Sequence, residues 1–279
     1  MSSDIAILND MVATGLEVTL HQGRERAEVT RFTHTLDEIV RSLREIDEVY
    51  VEHQTRATWV LAGVQRRYSN LVVRLEARNV PSKRDISDML IPAVALVDGA
   101  KVLQTEAIVP RLFKPKTVNR LAELSTPRDG VQTVSLATYN GKRGEPVKLN
   151  ERVQKNANAA VRPFEISYGA VTGKLFGLRD RHDGVSLTIR DEMQGDVISG
   201  WVPEGLVEEV REAWRHRVAV GGKIRRNEGG QAIDMRIDRI ELMPEGDDGR
   251  PSTDVLLGAA AAAFVDISVD EFVEQMRGE

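Results

Sequence analysis

Lys174, Arg179 and Arg181 lie close together in the second half of the chain, and Lys223, Arg225 and Arg226 crowd into a second group. Cations clustered in this way are the side chains that hold phosphate oxygens. A surface for single-stranded nucleic acid also needs flat rings on which bases stack. The strand-like runs of this region offer only Phe176 and Trp201, with Tyr168 at their start. Between Phe164 and Pro244, twelve Lys/Arg stand against fourteen Asp/Glu, whereas dedicated nucleic-acid domains carry a basic excess. Two readings stay open for these cations: a polyanion site, or a pair of solvated loops.

Other chemistry finds less support. Gly169-Ala170-Val171-Thr172-Gly173-Lys174-Leu175 resembles a phosphate loop only superficially. It is one residue short, lacks Ser or Thr after the lysine, and lies in a strand pattern, where backbone amides form no nest. Tyr139 to Gly144 reads as a hairpin-like turn. His21, His34, His53, His182 and His216 are scattered without metal-ligand spacing. His182 between Asp180 and Asp183 reads as a polar turn. Acidic pairs such as Asp37-Glu38, Asp47-Glu48 and Asp191-Glu192 read as solvated charge, and no GxSxG elbow is present. The absence of cysteine removes disulfides, thiol nucleophiles and Cys-based zinc sites, and fits a reducing compartment. No metal and no cofactor is implied, and the chain reads as non-catalytic.

The elements that must position these residues fall into two styles. With 279 residues, 41% hydrophobic and 29% charged, the chain can build substantial cores. Its net charge of −5 means that any polyanion site is a local patch. No signal peptide is visible, and the apolar stretch Leu256 to Phe264 is too short to span a bilayer, so a cytoplasmic protein is expected. Residues 1–162 read as an α+β domain. Leu16, Val18 and Leu20 alternate as an opening strand. A helix is expected from a Thr35 cap, with Leu36, Ile39, Val40, Leu43 and Ile46 on one face. Ala57–Arg66 and Asn70–Arg78 form a hairpin. A helical pattern from Ser82 to Glu106 should break or kink at Pro92. A short helix follows from Pro115 to Leu124, then a strand from Val131 to Thr138 and a helix from Val147 to Val161.

Residues 163–244 change character. Strand-like runs cover Tyr168–Leu178, Val185–Arg190, Asp196–Val202, Arg217–Arg226 and Ala232–Leu242, with one helix, Pro203 to Trp214, between the third and fourth. Three strands, a helix and two strands resemble the plan of the five-stranded OB-fold barrel; another small barrel or sandwich is the alternative. Gly169, Gly173 and Gly177 recur every fourth residue and suit bulges in a coiled strand. The resemblance implies that the Arg179–Gly184 turn and the Asn227–Gly230 turn flank a ligand face. Residues 245–279 read as an acidic linker and a capped amphipathic helix with Phe272, Val273 and Met276 as anchors, for docking in cis or to a partner. The expected fold is therefore α+β: a mixed α/β region, an OB-like β-barrel and a C-terminal helical tail. The expected function is a non-catalytic interaction or regulatory protein with a protein partner or self-association. Single-stranded nucleic acid bound by the barrel loops is the alternative, an enzyme of unknown class comes third, and no membrane is involved.

Overall fold

Strand β1 (Thr14–Gln22) pairs on one side with β3 (Asn70–Arg78) and on the other with β4 (Val131–Asn140). That central place explains why both its faces are buried: Leu16, Val18 and Leu20 on the apolar side, Glu17 and Thr19 on the other. The computed structural model describes residues 14–52, 56–78, 84–181 and 184–244. The sheet runs β2-β3-β1-β4-β5, with β2 (Thr58–Arg67) at one end and β5 (Lys142–Arg143) at the other; β6 (Val147–Leu149) also pairs with β4. The expected β2–β3 hairpin turns at Tyr68, in the left-handed region with φ 56°. Tyr139 to Arg143 make the expected tight turn between β4 and β5.

Helix α1 (Val29–Val51) begins well before the expected Thr35 cap. Arg31 is buried and its Nη2 donates to the Thr126 carbonyl at 3.1 Å, so it belongs to the packed first turns. Thr35 lies inside the helix and donates to the Arg31 carbonyl at 2.8 Å. Helix α2 (Ile86–Thr105) starts later than Ser82 and runs through Pro92 without the expected break. Proline cannot donate to the carbonyl four residues back; here that Asp88 carbonyl accepts from Arg84 Nη2 at 3.1 Å. Burial of Ala93, Leu96, Ala100 and Leu103 holds the rest. Helix α3 (Pro115–Leu124) matches its expectation. Helix α4 (Glu151–Ala160) is shorter than expected, because Val147–Leu149 pairs as β6 and the Asn150 side chain caps the helix through Val153 N at 3.1 Å. One apolar cluster joins the helices to the sheet.

The second β structure is a closed barrel of β7 (Glu165–Arg181), β8 (Gly184–Asp191), β9 (Val197–Val202), β10 (Arg217–Arg226) and β11 (Ala232–Leu242), in the order β10-β11-β9-β8-β7. β11 runs parallel to β9, and β10 closes on β7 antiparallel. Leu175, Leu187, Ile189, Val202, Val218 and Val220 fill the interior. The helix expected over Pro203–Trp214 is a 3₁₀ turn, Glu204–Leu206, followed by α5 (Val207–Glu212); Val210 supplies its fully buried contact. Strand β7 extends to Arg181, so Arg179 and Arg181 are strand residues paired with Ser186 and Gly184 rather than parts of a turn. Gly173 has no room for a side chain: a Cβ there would lie 1.8 Å from the Arg190 carbonyl oxygen.

A register shift between Leu175 and Gly177 turns Phe176 outward. There it packs with Val49 of α1, Val197 and Leu112. The Asn227–Gly230 turn docks on residues that precede β7 in the chain. Asn227 is buried and donates to the Ala160 carbonyl at 2.9 Å, while Gln231 accepts from Val109 N at 2.7 Å and donates to Val109 O at 3.2 Å. The expected boundary at 162/163 falls between α4 and β7, and the described residues on both sides belong to one compact unit that ends at Glu241. Among the described residues, no helix is long and apolar enough to cross a membrane.

Candidate functional site

Strand register assembles the site. Directly paired positions share a face of a sheet. Arg179 of β7 pairs with Ser186 of β8, Ser186 with Trp201 of β9, and Trp201 with Arg236 of β11. One row across the outer face of the barrel thus reads Arg179, Ser186, Trp201, Arg236. The next row reads Gly177, Thr188, Ser199, Asp234 by the same pairings. It ends on Arg225 of β10, whose guanidinium grips Asp234 with two hydrogen bonds, Nε to Oδ1 at 2.6 Å and Nη2 to Oδ2.

These rows floor a cleft of about 720 Å³, walled on its other side by Glu45 and Glu48 of α1 and by Lys114, Pro115 and Lys116 at the start of α3. The size is that of a pocket for an organic ligand. Six cations line it: Lys114, Lys116, Arg179, Lys223, Arg225 and Arg236. Glu45, Glu48 and Asp234 are its carboxylates.

Those three carboxylates are already engaged. Glu45 accepts from Arg120 at 2.6 Å and from Thr117 at 2.9 Å; burial alone would raise its pKa, but these bonds hold it below the usual carboxylate range. Glu48 takes Lys114 Nζ at 3.2 Å and lies 3.8 Å from Arg179. Burial pushes the Lys114 amine below the ordinary lysine value, against the opposing pull of Glu48. Lys223 and Arg236 have no carboxylate within ion-pair distance among the described residues. Each lies over a ring instead, Lys223 at 5.5 Å from the Tyr168 centroid and Arg236 at 5.2 Å from that of Trp201. Tyr168 is 71% exposed and Ile166 is 66% exposed. Trp201 Nε1 is buried without a protein hydrogen-bond partner, a position in which an indole N–H ordinarily finds one.

Of the residues singled out by spacing, Arg179, Lys223 and Arg225 meet in this cleft. Lys174 points elsewhere, 3.9 Å from Glu52. Arg226 donates to Gly230 O at 2.9 Å within its own docked turn. The side chain of Arg181 and the residues Phe272, Val273 and Met276 lie outside the described part. Lys114, Lys116 and Arg236 were not anticipated. Alternation along β11 put Arg236 on the outer face, but nothing local indicated that α3 would bring two lysines to the barrel. Among the described residues no group of three His, Asp or Glu is placed to hold a metal.

No family model matches the chain, and no curated protein matches it in sequence. Hydroxyls and cations over rings can bind an anionic ligand that also presents flat faces.

Proposed function

We propose that this is a non-catalytic cytoplasmic binding protein whose barrel is OB-like and whose cleft holds single-stranded nucleic acid. The observation that carries this reading is the row Arg179, Ser186, Trp201, Arg236, which sets an indole between two guanidiniums, one on the adjacent strand β11 and one two strands away on β7. Strands lie about 4.8 Å apart, so the two guanidinium-bearing positions are separated by roughly 14 Å. A base stacked on Trp201 would have backbone phosphates towards both ends of that row. The strand order supports the OB-like assignment, since the third and fifth barrel strands are parallel neighbours and the helical segment lies between the third and fourth.

The test is fluorescence anisotropy of a labelled single-stranded oligonucleotide at low salt. Trp201→Ala is expected to weaken binding about tenfold, the scale of one lost stacking contact. The affinity of the intact protein should fall with salt at a log–log slope of about −0.7 per phosphate neutralised. A duplex of the same sequence, whose base faces are already stacked, should bind more weakly. Absence of binding by the intact protein at low salt would refute the reading.

A second reading keeps the protein as a module of a protein assembly. It is favoured by Phe164, Ile166 and Tyr168, exposed apolar residues at alternate positions at and just before the start of β7. Recovery of a polypeptide partner from native cells that is lost on Ile166→Asp would support it; recovery of nucleic acid alone would not.

A further inference from the structure

We infer that Asp234 is a built-in competitor for the ligand's phosphate, holding Arg225 in reserve until a polyanion displaces it; the inference rests on the nucleic-acid reading of the cleft. The carboxylate meets the guanidinium side-on with two parallel hydrogen bonds, the geometry in which a phosphate would also be taken. Barrel closure produces this contact. β11 lies between β9 and β10, so Asp234 sits beside Ser199 on one side and reaches Arg225 on the other. Arg225 in turn pairs with Ile166 of β7, so freeing it extends the cationic floor to the exposed Ile166 and Tyr168.

The pair is suited to exchange. The Arg225 side chain is 47% exposed and that of Asp234 is 32% exposed, and a pair this wet is held only weakly. The exchange trades one anion for another without stranding a buried charge. A ligand with one negative charge gains little from it, because it must displace a carboxylate of equal charge. A chain of phosphates already held at Arg179, Lys223 and Arg236 presents its next phosphate at high effective concentration and can displace Asp234. The device thus makes the cleft selective for polyanions over single anions.

The experiment compares Asp234→Asn with the intact protein, using oligothymidylate, oligodeoxycytidylate and thymidine monophosphate as probes over a salt series. Asp234→Asn should bind oligothymidylate up to about fivefold more tightly, the scale of one exposed ion pair, with its salt slope unchanged, because the intact protein reaches the same phosphate contact by displacing Asp234. It should gain proportionately more for the monophosphate, reducing the discrimination. In an Arg225→Ala background the same change should have no effect on either probe. Melting temperatures and circular dichroism establish that each variant is folded, and Asp234→Glu, which keeps the carboxylate, should resemble the intact protein. Unchanged or weaker oligothymidylate binding by a folded Asp234→Asn would overturn the inference while leaving the nucleic-acid reading standing. A loss confined to oligodeoxycytidylate would overturn it in favour of Asp234 as an acceptor for the cytosine amino group. No binding by either protein would overturn both.

Discussion

Gly99, within α2, lies against the ring of Phe113: a Cβ at Gly99 would stand 2.3 Å from Phe113 Cζ. Alanine favours a helix interior over glycine by about 1 kcal/mol, but forcing a methyl into a filled core costs about 1–3 kcal/mol. Phe113 is fully buried and its ring cannot fold away. Gly99→Ala should therefore lower stability by up to about 2 kcal/mol, measurable as a shift of the urea midpoint at constant slope. Contacts of this kind are invisible in sequence, where a helical glycine reads only as a weak position. The site shows the same limit. Spacing found Arg179, Lys223 and Arg225, yet it could not separate them from Lys174, which distant Glu52 engages, or from Arg226, which bonds the Gly230 carbonyl of its own turn.

At the scale of elements, the start of α3 is held by charge. Arg120 bonds both Glu38, at 2.8 Å, and Glu45, at 2.6 Å, and so fastens α3 along α1 with Lys114 and Lys116 facing the barrel. The Glu45 carboxyl has its folded pKa depressed below the ordinary value of 4.5. Its contribution is thus complete above the unfolded value and is lost as pH falls through the folded one. Glu45→Gln should cost about 1–3 kcal/mol near neutrality, and the difference from the intact protein should shrink as pH drops below the ordinary carboxylate range. Denaturant titrations in a pH series would measure it; a difference that persists in acid would contradict this assignment. Element types were legible where local chemistry decides them. Pro115 marks a helix start whatever surrounds it, and alternation along β10 and β11 needs only a core on one side. Boundaries failed where distant groups decide. Arg31 is buried under Thr126, Arg84 takes the carbonyl that Pro92 leaves open, and β4 claims Val147–Leu149 as a strand.

On the scale of the whole molecule, a chain of net charge −5 carries a cleft in which cations outnumber carboxylates two to one. Attraction of a polyanion is local, so association should lack the long-range steering of a basic protein and should depend on contacts made inside the cleft. The two walls of that cleft come from different parts of the chain, and its width depends on what joins them. Phe176 against Val49 and Leu112 is one joint; Asn227 and Gln231, clasping Ala160 and Val109, are the other. This has a consequence for protein engineering. The Asn227–Gly230 turn, with its paired glycines between two long strands, looks like the natural place to splice in a reporter or to reopen the chain by circular permutation. Its tip is exposed, but Asn227 at its start is a buried fastener, and an insertion that displaces Asn227 should part the walls and abolish oligonucleotide binding even if the barrel still folds. The turn at Met193, a residue 93% exposed, should accept the same insertion with binding intact. Parallel insertions at the two turns, compared by oligonucleotide anisotropy, would check this.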